Sequence, residues 1–226
     1  MKYLFGYKIY DSQYPQMKII ETPKFILRPA TLRDVNDFYE YFKQEKVVKY
    51  LPFKAHKNIT QTKTFVRNFF INNYKSGKIG NYAVYYKPDK KVIGNVGINN
   101  VSPNAKRAEL GICINPKYWG HNFSTQLAAL SVISGFEFTT LDKLVVITYS
   151  DNKYTPKCIN ALKFEYIKTF KPKGNKPLSH VFELKRSDYL ELKKEYLPNL
   201  IKQFSWKFTY CYTKKSYLLI ALFFIL

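Results

Sequence analysis

The stretch AELGICINPKYWGHNFST, residues 108–125, contains the most informative pattern in the sequence. It reads as a strand that ends at Asn115-Pro116, a short polar loop containing Gly120, and a helix that begins near Phe123. The first N–H groups of a helix are unpaired and point one way, and the helix dipole favours anions there. The stretch therefore predicts either a site for a phosphate-bearing ligand or an ordinary strand–turn–helix corner. The glycine patterns of dinucleotide-binding and P-loop proteins do not occur in the chain.

Periodic patterns predict the elements before this stretch. Residues 24–28 alternate like a strand, and Thr31 with Asp34 is typical of a capping box at a helix start. The apolar face of that helix is predicted to comprise Leu32, Val35, Phe38, Tyr39 and Phe42. A second helix is predicted from Thr60 to Tyr74. Residues 82–86 and 92–98 flank a turn sequence at 87–90, which predicts an antiparallel hairpin, and 108–114 is a third strand.

The pattern after the stretch alternates helix and strand. A helix is predicted over 123–138 with Leu127, Leu130, Ile133 and Phe136 on one side. A β-branched strand over 144–149, a short helix over 156–162 and a last strand over 180–184 follow. Ser187 is expected to cap a helix that reaches Tyr196. The order predicts an α/β fold with a mixed sheet and helices on its faces.

The length of 226 residues is typical of one domain with appendages. We expect a leader over 1–18, a domain over 19–187, and a C-terminal helix and apolar tail over 188–226. Residues 217–226 are all apolar, about half of the roughly 20 residues that cross a bilayer. This tail either packs on the domain or a partner, or anchors the chain weakly at a membrane surface.

Charge and cysteine content limit the classes of function. The chain has 37 Lys and Arg residues against 16 Asp and Glu residues, which gives a net charge of +21. Because 46% of its residues are hydrophobic, the chain is not a disordered basic tail. Because most of the cations are Lys rather than Arg, a solvated surface is favoured over a nucleic-acid interface. Three separated cysteines predict no disulfide and no metal site, and we expect a cytoplasmic protein.

Several segments together resemble the GNAT (GCN5-related N-acetyltransferase) family, in its branch of ribosomal-protein N-terminal acetyltransferases. The resemblance covers roughly residues 19–187. It rests on the order and spacing of residues 20–29, 49–53, 91–97, 108–125 and 152–164. It implies a mixed, mostly antiparallel sheet with helices on both faces and a splayed parallel strand pair.

The resemblance also implies that acetyl-CoA is the cosubstrate. The family's phosphate loop falls on Lys117–Asn122, where Gly120 matches, Lys117 keeps a cation, and Asn122 replaces a usual Gly or Ala. Asn tolerates left-handed backbone geometry, so the loop can keep its shape. The remaining residues that the resemblance places around the cofactor are the main chain of Ile112, Cys113 and Ile114, together with His121, Phe123, Ser124 and Asn152.

Two residues are predicted to carry the chemistry. Glu109 is the only acid in the stretch 108–124 and is the candidate general base, although it could equally be an exposed strand residue or pair with Lys106 or Arg107. Ile159 stands where many relatives have a Tyr that protonates the departing thiolate, so Thr155 or water would take that role. Lys163 replaces a further family Gly.

Three functions remain open from the sequence. The first is acetylation of a protein N-terminal amine. The second is acetylation of a small amine such as a polyamine or an aminoglycoside. The net charge of +21 disfavours binding of a polycationic substrate of this kind. The third is a non-catalytic binding module that binds nucleic acid or ribosomes. For an enzyme, nucleic acid is not expected as the direct substrate.

Overall fold

A computed structural model describes residues 2–174 and 176–195. One compact unit runs to Tyr189, and the described part of the second unit, residues 190–195, is the end of a helix. The strands are β1 (Lys2–Leu4), β2 (Tyr7–Tyr10), β3 (Ile19–Glu21), β4 (Phe25–Arg28), β5 (Asn81–Tyr86), β6 (Lys91–Ser102), β7 (Arg107–Ile114), β8 (Lys143–Tyr149), β9 (Glu165–Phe170) and β10 (Ser179–Lys185). The helices are α1 (Val35–Phe42), α2 (Glu45–Val48), α3 (Ile59–Phe65), α4 (Asn72–Lys75), α5 (Phe123–Glu137), α6 (Thr155–Ala161) and α7 (Arg186–Glu195).

All ten strands form one sheet in the order β1-β2-β3-β4-β5-β6-β7-β8-β10-β9. Every neighbouring pair is antiparallel except β7 and β8. Helix α1 lies on the face that carries the side chain of Asn95, to which Tyr41 donates a hydrogen bond of 3.1 Å. Helix α5 lies on the opposite face, where Gly135 packs against Leu144. The expected mixed sheet with helices on both faces is confirmed.

The N-terminal residues belong to the sheet. We expected residues 1–18 to form a leader, but β1 and β2 form a hairpin whose second strand pairs with β3. Each of the two strands has three or four residues, too few for an alternating pattern to be recognised. Met17 is fully buried, and its sulfur accepts a hydrogen bond from the N–H of Gly80.

The capping box predicted at Thr31 and Asp34 is present, and Arg28 holds Asp34 with two hydrogen bonds of 2.7 and 2.8 Å. The residues of this box from Leu32 to Asp34 form a 3-10 turn before α1 begins at Val35, which shifts the phase of the helical face. Leu32 is consequently 41% exposed, although the periodicity predicted it inside, and Tyr41 is fully buried. The long helix predicted over 60–74 is α3 and α4 joined by a π-helical segment, Val66–Ile71.

The second half of the chain differs from the prediction in three places. Helix α5 is buried almost all round, including Ala128 and Ser131, because it is packed between the sheet and α6. Strand β9 was not predicted, since all of its residues are exposed and show no alternation. Ser187 does not cap α7 because the helix begins one residue earlier, and its hydroxyl bonds to Asp188.

Tyr196 and the apolar residues 217–226 lie outside the described residues. Within residues 2–174 and 176–195, no helix combines the length and apolar character needed to cross a membrane.

Arg186 ties the end of α5 to the beginning of α7. Its guanidinium donates to the carbonyls of Phe136, Leu141 and Thr139 at 2.8, 2.8 and 2.9 Å. We predict that Arg186→Ala lowers the free energy of unfolding by about 3 kcal/mol, because three carbonyls lose a charged donor. Urea denaturation measures this change, and Arg107→Ala, at an exposed position, serves as the control with a change within about 0.5 kcal/mol. Equal effects of the two substitutions would contradict the role of Arg186.

Candidate active site

The parallel strands β7 and β8 separate soon after they meet. They pair only at Arg107, Ala108 and Glu109, opposite Lys143, Leu144 and Val145. Beyond Glu109, β7 continues along β6 as far as Ile114, and β8 pairs with β10 along its whole length. A gap therefore opens between β7 and β8 towards their carboxyl ends, and the predicted splayed pair is confirmed.

The main chain of alternate β7 residues faces this gap. The N–H of Asn115, the residue after β7, donates to the Ile93 carbonyl on β6 at 2.8 Å. Because main-chain groups alternate in direction along an antiparallel strand, those of Cys113 and of every second residue earlier in β7 also point towards β6. The main-chain groups of Leu110, Ile112 and Ile114 are turned the other way. Of the residues predicted to offer main chain to a cofactor, Ile112 and Ile114 thus face the gap. The Ile114 carbonyl already accepts a hydrogen bond of 2.8 Å from the indole of Trp119.

The loop between β7 and α5 has a left-handed conformation at two positions. Gly120 has φ 84° and Asn122 has φ 58°. A Cβ on Gly120 would meet nothing within 4 Å, so the space above the loop is open. Asn122 stands at the N-cap of α5, but its side chain makes no capping hydrogen bond and instead contacts the ammonium of Lys157. The N–H groups at the start of α5 are therefore left for a ligand rather than for a cap.

The start of this loop is fixed to α1 by one carboxylate. Glu40 accepts hydrogen bonds from Asn115 at 3.1 Å and from Lys117 at 2.9 Å, and it pairs with Lys91. Burial alone would raise the pKa of Glu40, but the hydrogen bonds from Lys91, Lys117 and Asn115 outweigh it and lower the pKa to about 2. Glu40 thus remains ionised and positions the loop. Lys117, which was predicted to contact the cofactor, is engaged with this carboxylate.

Lys157, on α6, places its ammonium against Asn122 of the loop, and the sequence analysis did not select it. The signal that could have identified Lys157 is its place two residues after Thr155 in the predicted short helix. In the structure the first turn of that helix, α6, lies beside the start of α5. His121 is exposed, with its ring 5.4 Å from Phe123. Phe123 is buried edge-on against Phe25, so it anchors the helix start through its side chain.

The residues expected near the thiol end of the cofactor are held by local hydrogen bonds. The side-chain oxygen of Asn152 accepts from the N–H of Tyr154 at 3.0 Å, which forms a turn that leads into α6. The hydroxyl of Thr155 accepts a bond of 3.2 Å from Thr148 on β8. That bond leaves the proton of the Thr155 hydroxyl available to another acceptor.

Glu109 lies at the point where β7 and β8 separate. Its carboxylate accepts a hydrogen bond of 2.9 Å from the amide of Asn100, while Lys106 pairs with Asp142 at 3.8 Å. By strand alternation its side chain lies on the α1 face of the sheet, whereas Thr148 and the bound Thr155 lie on the α5 face. The two predicted catalytic residues therefore approach the gap from opposite faces.

Cys113 and Cys158 are both buried, and burial raises the pKa of the Cys113 thiol well above its usual range. Among the described residues, no group of three His, Cys, Asp or Glu side chains is placed to hold a metal ion.

These features fit coenzyme A. The uncapped helix start, the open space over Gly120 and the ammonium of Lys157 suit a diphosphate. The main chain of Ile112 at the gap offers hydrogen-bonding groups that an extended chain with amides can use. Asn122, which departs from the family pattern in its side chain, keeps the backbone geometry that a glycine would provide.

Comparison with known proteins identifies the family of the chain. The family model "Acetyltransferase (GNAT) domain" matches residues 24–165, and the chain belongs to this family. Membership confirms the predicted activity class, an acyltransferase that uses acetyl-CoA.

Two curated relatives and two solved structures show how far the similarity extends. The chain is 23% identical over 147 residues to the uncharacterized N-acetyltransferase YoaA of Bacillus subtilis, covering 65% of this chain and 82% of that protein. It is 23% identical over 150 residues to the uncharacterized N-acetyltransferase p20 of Bacillus licheniformis, covering 66% and 83%. The fold is shared with ribosomal-protein-S5-alanine acetyltransferase of Vibrio fischeri, with a TM-score of 0.67, 16% identity and coverage of 76% and 98%. It is also shared with RimL, a ribosomal L7/L12 α-N-protein acetyltransferase in complex with coenzyme A, with a TM-score of 0.66, 14% identity and coverage of 74% and 97%.

The loop geometry predicts the effect of a charge at Gly120. We expect Gly120→Asp to weaken acetyl-CoA binding by at least about tenfold, because it would place a carboxylate in the loop that is predicted to hold the diphosphate. Isothermal titration calorimetry measures the affinity. Gly77→Asp is the matched control, since Gly77 is also exposed, has φ 76° and has open space around a Cβ. A loss of affinity that is the same in both variants, or absent in both, would show that the loop is misassigned.

Lys163 gives a stability prediction. It has φ 53°, so the departure from the family Gly leaves a side chain in left-handed geometry. We expect Lys163→Gly to raise the free energy of unfolding by about 0.5–1 kcal/mol through relief of that conformation. Lys163→Ala removes the side-chain contacts but keeps the left-handed cost, and it should not stabilise the protein. Chemical denaturation of both variants distinguishes them, and stabilisation by Ala as well would contradict the explanation.

Proposed function

We propose that the chain transfers the acetyl group of acetyl-CoA to the α-amine at the N-terminus of a protein. The observation that carries this proposal is the gap beyond Glu109, which has the loop and α6 on one face and a carboxylate on the other. Two ligands can meet there from opposite faces without sharing a binding surface. The names of the structural neighbours from Vibrio fischeri and of RimL, both acting on ribosomal proteins, support an acceptor of this class.

The cofactor would be held at two points. The N–H groups of Phe123 and Ser124, the loop at Gly120 and the ammonium of Lys157 would bind the diphosphate. The main chain of Ile112 would orient the extended arm in the gap. Acetyl-CoA supplies an activated thioester carbonyl, and the chain forms no covalent bond with it in this proposal.

Two protons have to move. An amine attacks a carbonyl only when it is neutral, and the Glu109 carboxylate, held in place by Asn100, takes its proton. The Thr155 hydroxyl, which accepts from Thr148, keeps its own proton free to donate a hydrogen bond to the departing sulfur, and solvent water supplies the proton that the thiolate takes up. Main-chain N–H groups of β7 at the gap stabilise the negative charge that develops on the carbonyl oxygen. Binding both substrates side by side supplies the rest of the acceleration by proximity.

The proposal predicts the effect of removing the base. For a peptide with a free N-terminal amine, we expect Glu109→Gln to lower kcat by about 100-fold, which is the size of a general-base contribution. The affinity for acetyl-CoA should not change. Release of free thiol from acetyl-CoA measures the rate.

The control is Glu45→Gln, at an exposed position on α2, which should keep wild-type activity. Wild-type turnover with polyamines but with no peptide would contradict the protein acceptor. Undiminished activity in Glu109→Gln would remove Glu109 from the mechanism.

A further inference from the structure

Three asparagine side chains form a hydrogen-bonded row on the α1 face of the sheet, beside the candidate active site. We call Asn95, Asn81 and Asn99 the amide ladder. The amide nitrogen of Asn95 donates to the side-chain oxygen of Asn81 at 3.1 Å, and the amide nitrogen of Asn81 donates to the side-chain oxygen of Asn99. The buried end of the ladder receives a hydrogen bond of 3.1 Å from the Tyr41 hydroxyl to Asn95. No part of the mechanism above uses this row.

The direction of the hydrogen bonds in the amide ladder is fixed at the buried end. An amide can turn over, so the row could run either way if only the three asparagines were considered. Tyr41 is fully buried, and burial raises the pKa of its hydroxyl well above 10, so the group stays protonated. Its O–H needs an acceptor, and only one direction of the ladder supplies the oxygen of Asn95. Each amide is then oriented by the one before it.

The consequence appears at the other end, at Asn99. Its oxygen is taken by Asn81, so its amide N–H groups point onward, and in the described part of the chain they have no acceptor. A Cβ on Gly111 would lie 2.7 Å from this nitrogen, so the Asn99 amide lies directly over Gly111. Gly111 is two residues past Glu109, where the gap has opened. A preoriented donor therefore stands at the mouth of the gap, on the face from which the acceptor would come.

Asn99 is also the cross-strand partner of Glu109. Side chains directly opposite in an antiparallel pair have Cβ atoms about 5 Å apart and share a face. A molecule bound here meets a carboxylate that takes a proton from its amine and, beside it, an N–H that seeks an oxygen. An α-amine has such an oxygen in the carbonyl of its own residue. The ε-amine of a lysine side chain and the amines of a polyamine have only methylene groups within the same reach.

We infer that Asn99, oriented through the amide ladder, selects an acceptor with an N-terminal α-amine by donating a hydrogen bond to its first peptide carbonyl. This inference rests on the proposed function and names how the acceptor is recognised. Asn99 is the residue that contacts the acceptor, whereas Asn81, Asn95 and Tyr41 are positioning residues. The specificity would thus come from the presence of a neutral donor rather than from an acidic pocket.

Kinetics on two variants tests the inference, with tripeptide amides that begin with Ala, Ser, Thr or Met as acceptors. Asn99→Leu keeps the approximate shape and removes the donor. This substitution should raise KM for the best tripeptide about tenfold, because the loss of one hydrogen bond worth about 1.4 kcal/mol corresponds to a tenfold change. KM for acetyl-CoA should not change. Asn36→Leu, at an exposed position on α1, is the matched control and should leave both constants unchanged.

The second variant, Asn81→Asp, is designed to turn the amide of Asn99 over without substituting Asn99 itself. The ionised carboxylate that this substitution introduces would only accept, so Asn99 would turn its N–H groups inward and present its oxygen to the acceptor. Burial disfavours the charge, but the amide donors of Asn95 and Asn99 favour the ionised carboxylate, so at pH 8 we expect KM for the tripeptide to rise by a similar factor. The two changes should not be additive, since Asn99→Leu already lacks the group that Asn81→Asp turns.

The outcomes separate this inference from the proposed function. If the wild-type protein acetylates a tripeptide and Asn99→Leu has the same KM for it, the role of Asn99 is overturned and the proposed function stands. A rise in KM for acetyl-CoA equal to that for the tripeptide also overturns it, because a distorted gap would affect both. Additive effects of the two variants overturn the ladder as the orienting device. Binding of acetyl-CoA without transfer to any tripeptide overturns the proposed function, and this inference with it.

Discussion

The separation of β7 from β8 after Glu109 is the constraint on which the rest of the molecule depends. Each strand already has a complete antiparallel partner, β6 for one and β10 for the other, and the sheet twists between them. The two parts of the sheet are therefore joined by a short parallel contact and diverge beyond it. Unpaired main-chain groups at a strand edge are costly to bury without a partner. Trp119 satisfies the carbonyl of Ile114, and the remaining groups are available to a ligand.

Two residues that depart from the expected family pattern have a left-handed backbone. Asn122 and Lys163 both have positive φ, at 58° and 53°. The conformation is thus set by the surrounding strand–loop–helix geometry rather than by the local sequence. Asn adopts it at modest cost and Lys at a larger one. Glu40 contributes to the same geometry from α1, because it fixes Asn115 at the first residue of the loop.

The sequence was sufficient for features with a local signal. The hairpin of β5 and β6, the strand β7, the capping box at Thr31 and the loop at Gly120 follow from alternation, turn residues and spacing within about ten residues. Strands β1, β2, β3 and β9 were missed because three or four residues, or uniform exposure, leave no period to detect. Lys157 and the amide ladder were missed for a different reason. Lys157 contacts a residue 35 positions away and Asn81 one 18 positions away, so their roles exist only after the elements have assembled.

The net charge of +21 can be interpreted more narrowly once the site is described. Lys91 and Lys117, beside the loop, both pair with Glu40, and Lys91 also pairs with Asp37 at 3.6 Å, so two carboxylates balance these two lysines. Lys157 faces the place proposed for the diphosphate. On the acceptor face the row beside Glu109 is made of neutral amides, with Asn99 and Asn100 on either side of a single carboxylate. One carboxylate balances one ammonium group, whereas a polycation would bring further charges that the amides cannot neutralise. The same arrangement of residues therefore suits an anionic cofactor and, under the proposed function, favours an acceptor with a single amine.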